Sequence, residues 1–293
     1  MQLSVPHQPA KRFFKSIIVT VPTAFIASFS FAQESIEDTV NKKPYNLFNP
    51  VPRSQMKEME TDRPDVTESA YTVAPGHFQM ESDLLRYTRN KNSETINTVV
   101  AYNVGNYKLG LSQRADIQLV VPTYISNSIR ERPTNKIVRR TGFDDITLRF
   151  KYNFWGYKGG KTALAALPFI SFPTSTLEDN GVQGGIVLPF AWQINQTFNF
   201  GTQLEADIIK EADNNYHAAF LYSATCGSAL TSNLSVFIEA VTTYSPHGSH
   251  ADVYANTGII YSVTSNFNID AGLNYGLTTS ADKIFFAGFS FRL

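Results

Sequence analysis

The densest run of chemically capable side chains is Asp62, Arg63, Asp65 and Glu68, three carboxylates around one guanidinium. Arg63 carries a planar fork of donors that suits a carboxylate on a neighbouring segment, and Pro64 fixes the backbone between the acids. Such a group can tether its segment inside a larger structure as a plug or gate. The same charges also suit a solvated linker. The spacing of the three acids does not reproduce a calcium-binding loop, so no metal is assigned to them.

The five histidines, His7, His77, His217, His247 and His250, offer little further chemistry. His247 and His250 share a segment with Asp252, and these are donors that a transition metal accepts. Surface histidines ordinarily bind nothing, and no metal or cofactor is expected. The sequence contains no HExxH, CxxC or GxSxG string and no phosphate-binding glycine loop. A lipid-acting hydrolase would need a serine and a histidine in hydrogen-bond reach. His217 and Ser223 fall on the same face of one strand, but six residues of strand span about 20 Å. Serines on neighbouring strands leave that reading open, while no catalytic residue is assigned. Cys226 is the sole cysteine, which excludes an intramolecular disulfide and a thiolate metal cluster.

The elements that must position these groups show a period of two from Gly76 onward. In residues 146–154, Ile146, Leu148, Phe150, Tyr152 and Phe154 alternate with Thr147, Arg149, Lys151 and Asn153. A helix would mix the two sets, whereas a strand separates them onto opposite faces. The last strand places Phe285, Ala287, Phe289, Phe291 and Leu293 together. Twelve such segments are expected, at 76–88, 95–111, 114–125, 142–154, 161–172, 183–194, 196–208, 215–225, 233–244, 252–263, 266–277 and 282–293, with a bulge near Asn103, Gly105 and Asn106.

Charge falls opposite the more apolar set, at Glu81, Asp83, Asp116, Arg149, Lys151, Glu205, Asp207, Glu239 and Asp270. These are the lumen-facing candidates, because Arg or Lys on a lipid face costs about 2–4 kcal/mol at mid-membrane. The connections alternate between short and longer ones, the latter at 89–94, 126–141, 173–182, 209–214, 245–251 and 278–281. Bacterial outer-membrane barrels have this asymmetry, with even strand numbers and both chain ends in the periplasm. The expected fold is therefore an all-β, transmembrane antiparallel β-barrel of outer-membrane type with about twelve strands. A cylinder of that size is roughly 24 Å across at the backbone, and inward side chains leave only a narrow passage. A soluble β-sandwich, the competing architecture, gives no reason for connections that alternate in length.

The remaining regions fit the same picture. Lys11, Arg12 and Lys15 precede an apolar run, Ser16 to Phe31, that ends at Ser30-Phe31-Ala32, so residues 1–32 read as a cleaved signal peptide. Residues 33–75 are polar and punctuated by proline, and are expected to form an irregular segment in the periplasm or inside the lumen of a barrel spanning 76–293. With 22 Phe and 14 Tyr but only 17% charged residues, the composition suits strands that face lipid on one side. Basic and acidic residues balance at 25 each, which gives no footprint for nucleic acid. The expected partners are outer-membrane lipid and lipopolysaccharide, the barrel-assembly machinery during insertion, and a small-molecule solute.

Thr61-Asp-Arg-Pro-Asp-Val-Thr-Glu-Ser69, followed by Gly76-His-Phe-Gln79 and Glu81, carries a family likeness. It resembles the outer-membrane transporter family of the MetA-pathway of phenol degradation. In that family a TDRPDxTES-like string precedes the first strand and a GHFQxE-like string opens it. The matching positions are Thr61, Asp62, Arg63, Pro64, Asp65, Thr67, Glu68, Ser69, Gly76, His77, Phe78, Gln79 and Glu81. Barrels of this type usually end in an aromatic residue, whereas this chain ends in Leu293 with Phe289 and Phe291 just before it. The resemblance implies an exported outer-membrane barrel with a transport role. The resemblance itself carries no substrate; a narrow polar interior and the absence of a catalytic motif, joined to it, point to a channel for small, aromatic or weakly polar organic solutes. The alternatives are a structural or adhesive barrel without transport and a lipid-acting hydrolase.

Overall fold

Along strand after strand, apolar side chains turn outward and charged ones turn inward. The computed structural model describes residues 44–177, 181–211 and 214–293. The expected signal peptide lies outside them. Ahead of the sheet, residues 44–77 form irregular backbone with a single 3-10 turn at Arg53–Gln55. Thirteen strands follow among the described residues. They are β1 (Phe78–Lys91), β2 (Thr95–Gly110), β3 (Ala115–Glu131), β4 (Ile137–Gly142), β5 (Ile146–Trp155), β6 (Thr162–Phe172) and β7 (Gln183–Gln193). β8 (Phe198–Lys210), β9 (Tyr216–Ala229), β10 (Leu234–Ser245), β11 (His250–Thr264), β12 (Phe267–Gly276) and β13 (Lys283–Arg292) complete the sheet.

Each strand pairs antiparallel with its neighbours, and β1 pairs with both β2 and β13, so the sheet closes on itself. The ring has twelve staves rather than thirteen. β3 pairs with β5 through Ala115–Val120 and with β4 through Ile125–Arg130, both on the same side, so β4 and β5 form one interrupted stave. Residues 143–145 make the break. The β6–β7 connection fills it, with Thr176 N donating to Phe143 O at 3.0 Å and Ser175 N donating to Asp145 Oδ1 at 2.8 Å. Closure satisfies backbone groups that an open edge would leave unpaired in a membrane.

Two sequence expectations change. Residues 126–141 were expected to form a long loop but mostly extend β3 and build β4, because Ile125, Ile129 and Val138 continue a β-branched pattern that pairs across the hairpin. The longer connections shrink for the same reason, and the stretches 89–91, 209–210 and 250–251 all belong to strands. Asn103 does mark an irregularity. Its φ is +51°, and pairing passes from Tyr102 directly to Val104 on both sides of β2.

β5 shows the inverted distribution most plainly. Phe150, Tyr152 and Phe154 are exposed, whereas Lys151 and Asn153 between them are buried. A water-soluble domain has the opposite arrangement, and this one suits strands bathed in hydrocarbon. Strands of 10 to 17 residues make up the ring apart from β4, more than enough where about 9–11 suffice to cross.

The interior is filled in part by chain from the N-terminal side. Ala70 packs, fully buried, against the inward Ala163 and Ala165 of β6, whose small side chains leave room for it. Two glycines on the inner wall admit the same segment. A Cβ on Gly110 would collide with the carbonyl of Ala74, and one on Gly288 would collide with the Arg63 guanidinium. Gly110→Ala is therefore expected to displace the seated segment, at a cost of about 1–3 kcal/mol from overpacking. Heat-dependent mobility of the folded barrel on gels checks this. The same change at exposed Gly159, where an added Cβ meets nothing within 4 Å but φ is +115°, reports backbone strain alone.

Candidate functional site: a segment latched inside the lumen

Residues 60–73 carry the densest set of contacts with the inner wall. The β strands supply rows of inward polar side chains at every second position, and the segment answers them with charge and with its own backbone. Asp62 is the centre. Its carboxylate is bound by Lys108 of β2 and by Lys151 of β5, the latter at 2.6 Å, and it accepts the backbone N–H of Ser69 at 2.9 Å. Lys108 also pairs with Glu81 of β1, whose other oxygen accepts the N–H of Asp62 at 3.0 Å. Lys151 reaches on to the carbonyl of Ser69 at 2.8 Å. All these side chains are almost wholly removed from solvent.

Arg63 makes the second tie. Its fork pairs with Asp83 of β1 and with Asp270 of β12, at 2.5 Å for the shorter contact to Asp270. The guanidinium also lies 5.8 Å from the centroid of the inward Phe286 ring. Asp83 holds Arg86 as well, at 2.6 Å. Glu68 pairs with Arg149 of β5 and donates its backbone N–H to Gln203 of β8 at 2.7 Å.

Backbone recognition completes the latch. Glu239 of β10 accepts the N–H groups of Val66 and Thr67 and the Thr67 hydroxyl, the last two at 2.7 Å, and Asn256 steadies it at 2.7 Å. Asp116 of β3 accepts the N–H of Val73 at 2.9 Å. Asn153 donates to the carbonyl of Ala70, and Gln79 to that of Glu60, both at 2.7 Å. His77 stands at the mouth with Nδ1 2.7 Å from the Leu293 carbonyl and Nε2 2.7 Å from that of Val51, joining both chain ends of the barrel.

The structure thus brings Asp62, Arg63 and Glu68 together with Glu81, Asp83, Asp116, Arg149, Lys151, Glu239 and Asp270. Glu205 and Asp207 also face inward on β8 but form no ion pair among the described residues. Asp65 differs too. It faces Glu239 and is hydrogen-bonded by Thr225, with no cationic partner among the described residues. Sequence reasoning missed Lys108 and Asn256, and it placed Gln79 in the family motif and Asn153 opposite the apolar face without giving either, or Gln203, a role in the site. Each occupies an inward position of its strand; Lys108 is an even number of residues from the outward Tyr102, so alternation has to restart after Asn103 to place it inward. His217 and Ser223 stay apart. Ser223 Oγ lies 2.7 Å from Thr67 Oγ1, while His217 stacks on His247. Asp252 accepts the hydroxyls of Thr278 and Ser280, at 2.8 and 2.5 Å.

Electrostatics sorts the three carboxyls of the latch. Burial alone would raise Asp62, but Lys108 and Lys151 hold it well below the usual carboxylate range. Burial pushes Glu68 up to about 7, against the pull of Arg149 and with Asp62 adding to the rise. Burial and the Glu239 charge raise Asp65 well above its ordinary range.

A family model described as "Putative MetA-pathway of phenol degradation" matches residues 61–293. Among solved structures, an outer-membrane channel from Pseudomonas putida F1 is similar at a TM-score of 0.55 and 9% identity, covering 78% of this chain and 100% of its own. The transport unit of the autotransporter AIDA-I from Escherichia coli is similar at 0.50 and 12%, covering 79% and 91%. At such identities the likeness concerns the fold, a transmembrane β-barrel of outer-membrane type. No curated protein matches the sequence.

Two outcomes are expected of the latch. Asp62→Asn strips the shared carboxylate from two buried lysines, and loss of one partner of a buried pair costs about 3–5 kcal/mol. Protease should then cleave residues 44–75 from an otherwise resistant barrel, while Asp65→Asn, which removes no ion pair, leaves protection intact. Glu68 sets a pH dependence. An acid whose value is raised on docking binds its proton more tightly in the docked state, so docking is least favoured above about 7 and strengthens as pH falls toward the ordinary 4.5. Asp62 has the opposite sign, and its contribution is lost only below its ordinary 3.8. Protection should therefore rise between pH 8 and pH 6, by a smaller increment in Glu68→Gln; buffer values here bracket about 7.

Proposed function

This chain belongs to the family of the MetA-pathway of phenol degradation, whose model matches residues 61–293, and on that premise we propose that it is an outer-membrane channel for small, weakly polar organic solutes, with residues 60–73 as its gate. The observation that carries this reading is the polar, charge-lined lumen crossed by a segment held through ion pairs and hydrogen bonds. A barrel built only as a scaffold has no need of a charged bore, since apolar packing closes an interior at lower desolvation cost. Contacts of this type are also separable. Each is polar, and water entering the lumen can replace it.

Space beside the segment supports a passage. A cavity of about 380 Å³ lies between residues 58–71 and the β7–β12 wall, with Asn199, Thr225, Ser235 and Asn268 among its lining. That volume is at the lower end of the range for small-molecule sites. Val51 and Leu293 meet at His77 at this end of the barrel, which we assign to the periplasm. Phenol, the compound the family description names, fits well within this volume. A structural barrel without transport is the second reading, and the extent to which the segment fills the lumen favours it.

Planar-bilayer conductance separates the two. Wild type should give a small current, and Arg63→Ala a larger and noisier one, because Asp83 and Asp270 lose their shared cation. Deletion of residues 33–70 should give the largest. Equal currents in all three would remove the segment as a gate. Liposomes carrying the inserted protein should admit simple phenols faster than empty ones. Absence of permeation in every form, with insertion verified, would leave the structural barrel.

A further inference from the structure

The end of the barrel away from His77 and Leu293 carries a second group of donors that the latch does not use. Glu211 follows β8, His217 is in the second pair of the β8–β9 ladder from the turn, and His247 lies in the β10–β11 connection. Their ligand atoms all lie within 4.8 Å of one another. We propose that Glu211, His217 and His247 form a binding site for a divalent transition-metal ion, of the zinc class, at this distal rim.

Chemistry and placement both favour it. Two imidazoles and one carboxylate form a donor set suited to zinc, nickel or copper, whereas calcium and magnesium take oxygen. Glu211 is steadied from behind by the Ser245 hydroxyl at 3.0 Å, an outer contact of the kind that orients a metal-binding carboxylate. Its backbone is fixed by the β8–β9 turn, where Asn214 N donates to Glu211 O at 2.9 Å and Glu211 N donates to Asn215 O at 3.0 Å. His217 is paired across to Ile209 within the β8–β9 ladder, which fixes its backbone and points its side chain to the lumen side.

The remaining adjustment falls on His247. The two rings are stacked with centroids 3.6 Å apart and planes at 24°, so their nitrogen lone pairs run alongside each other. Tetrahedral zinc bonds of about 2.0–2.1 Å bring donors to roughly 3.4 Å apart with lone pairs converging. His247 is exposed and sits in a short turn closed by Ser249 N to Pro246 O at 3.2 Å, so a side-chain rotation suffices. The bound ion would tie the β8–β9 connection to the β10–β11 connection across the top of β9 and β10. Three protein donors leave a fourth position for water.

Calorimetric titration tests the proposal on the full-length protein in detergent, without an affinity tag and stripped with chelator. Zinc should bind at one ion per chain, and nickel should compete, while calcium and magnesium give no heat. Glu211→Gln, His217→Ala and His247→Ala should each weaken zinc binding by at least about tenfold. Unchanged heat-dependent mobility on gels shows that each variant retains the barrel. Cobalt in place of zinc should give visible bands of tetrahedral intensity that the variants lose. Absence of zinc binding to the wild type, or equal binding by the triple variant, would overturn the assignment.

Discussion

Much of the structure depends on one buried carboxylate. Asp62 enters the lumen between Lys108 and Lys151, and neither lysine has bulk water to solvate it. A closed barrel that faces lipid must send its charged side chains inward, because the outer surface cannot hold them without a cost of kilocalories. That requirement crowds charge into a narrow bore, where each group needs a partner. The segment bearing Asp62, Arg63 and Glu68 supplies opposite charge at the points where the wall needs it.

The ties spread around the ring. Lys108 belongs to β2, Asp83 to β1, Asp270 to β12, Arg149 and Lys151 to β5, and Glu239 to β10. A segment held by one stave could swing about it, whereas one held by several on different sides has a single position. Buried ion pairs of this kind are weak evidence for net stability, since desolvation offsets much of their attraction. Their effect here is on position, and the short interior side chains Ala163, Ala165, Gly110 and Gly288 act in the same direction by leaving space for backbone. Charge complementarity and shape complementarity thus select the same placement.

The two ends of the barrel differ in what they offer. Around Leu293, His77 contacts the carbonyl of Val51 in the incoming segment as well as that of Leu293, and Arg292 Nη2 donates to Lys57 O at 2.9 Å. This end is stitched to the segment. At the distal end the strands finish in connections where Glu211, His217 and His247 meet. The interrupted β4–β5 stave also lies toward that end, sealed by the β6–β7 connection and not by a continuous ladder.

The sequence by itself determined the architecture. Alternation such as Leu148, Phe150, Tyr152 against Arg149, Lys151, Asn153 has only one face that can meet lipid, and twelve repeats of it can leave no open edge in a membrane. The dense charges of Asp62, Arg63, Asp65 and Glu68 were legible as a group for the same local reason, since they need only residue type and spacing. Other features were not legible. Where a strand ends depends on its neighbour's pairing, so residues 126–141 read as a loop until β3 and β4 are seen side by side. Which cation meets Asp62 depends on barrel register, which brings Lys108 and Lys151, far apart in sequence, to one oxygen pair. Asp65 looks identical to Asp62 in the sequence, yet it turns toward Glu239 and finds no cation among the described residues. Local chemistry follows from residue order along the chain, whereas partnership follows from closure of the sheet, which only the tertiary structure decides.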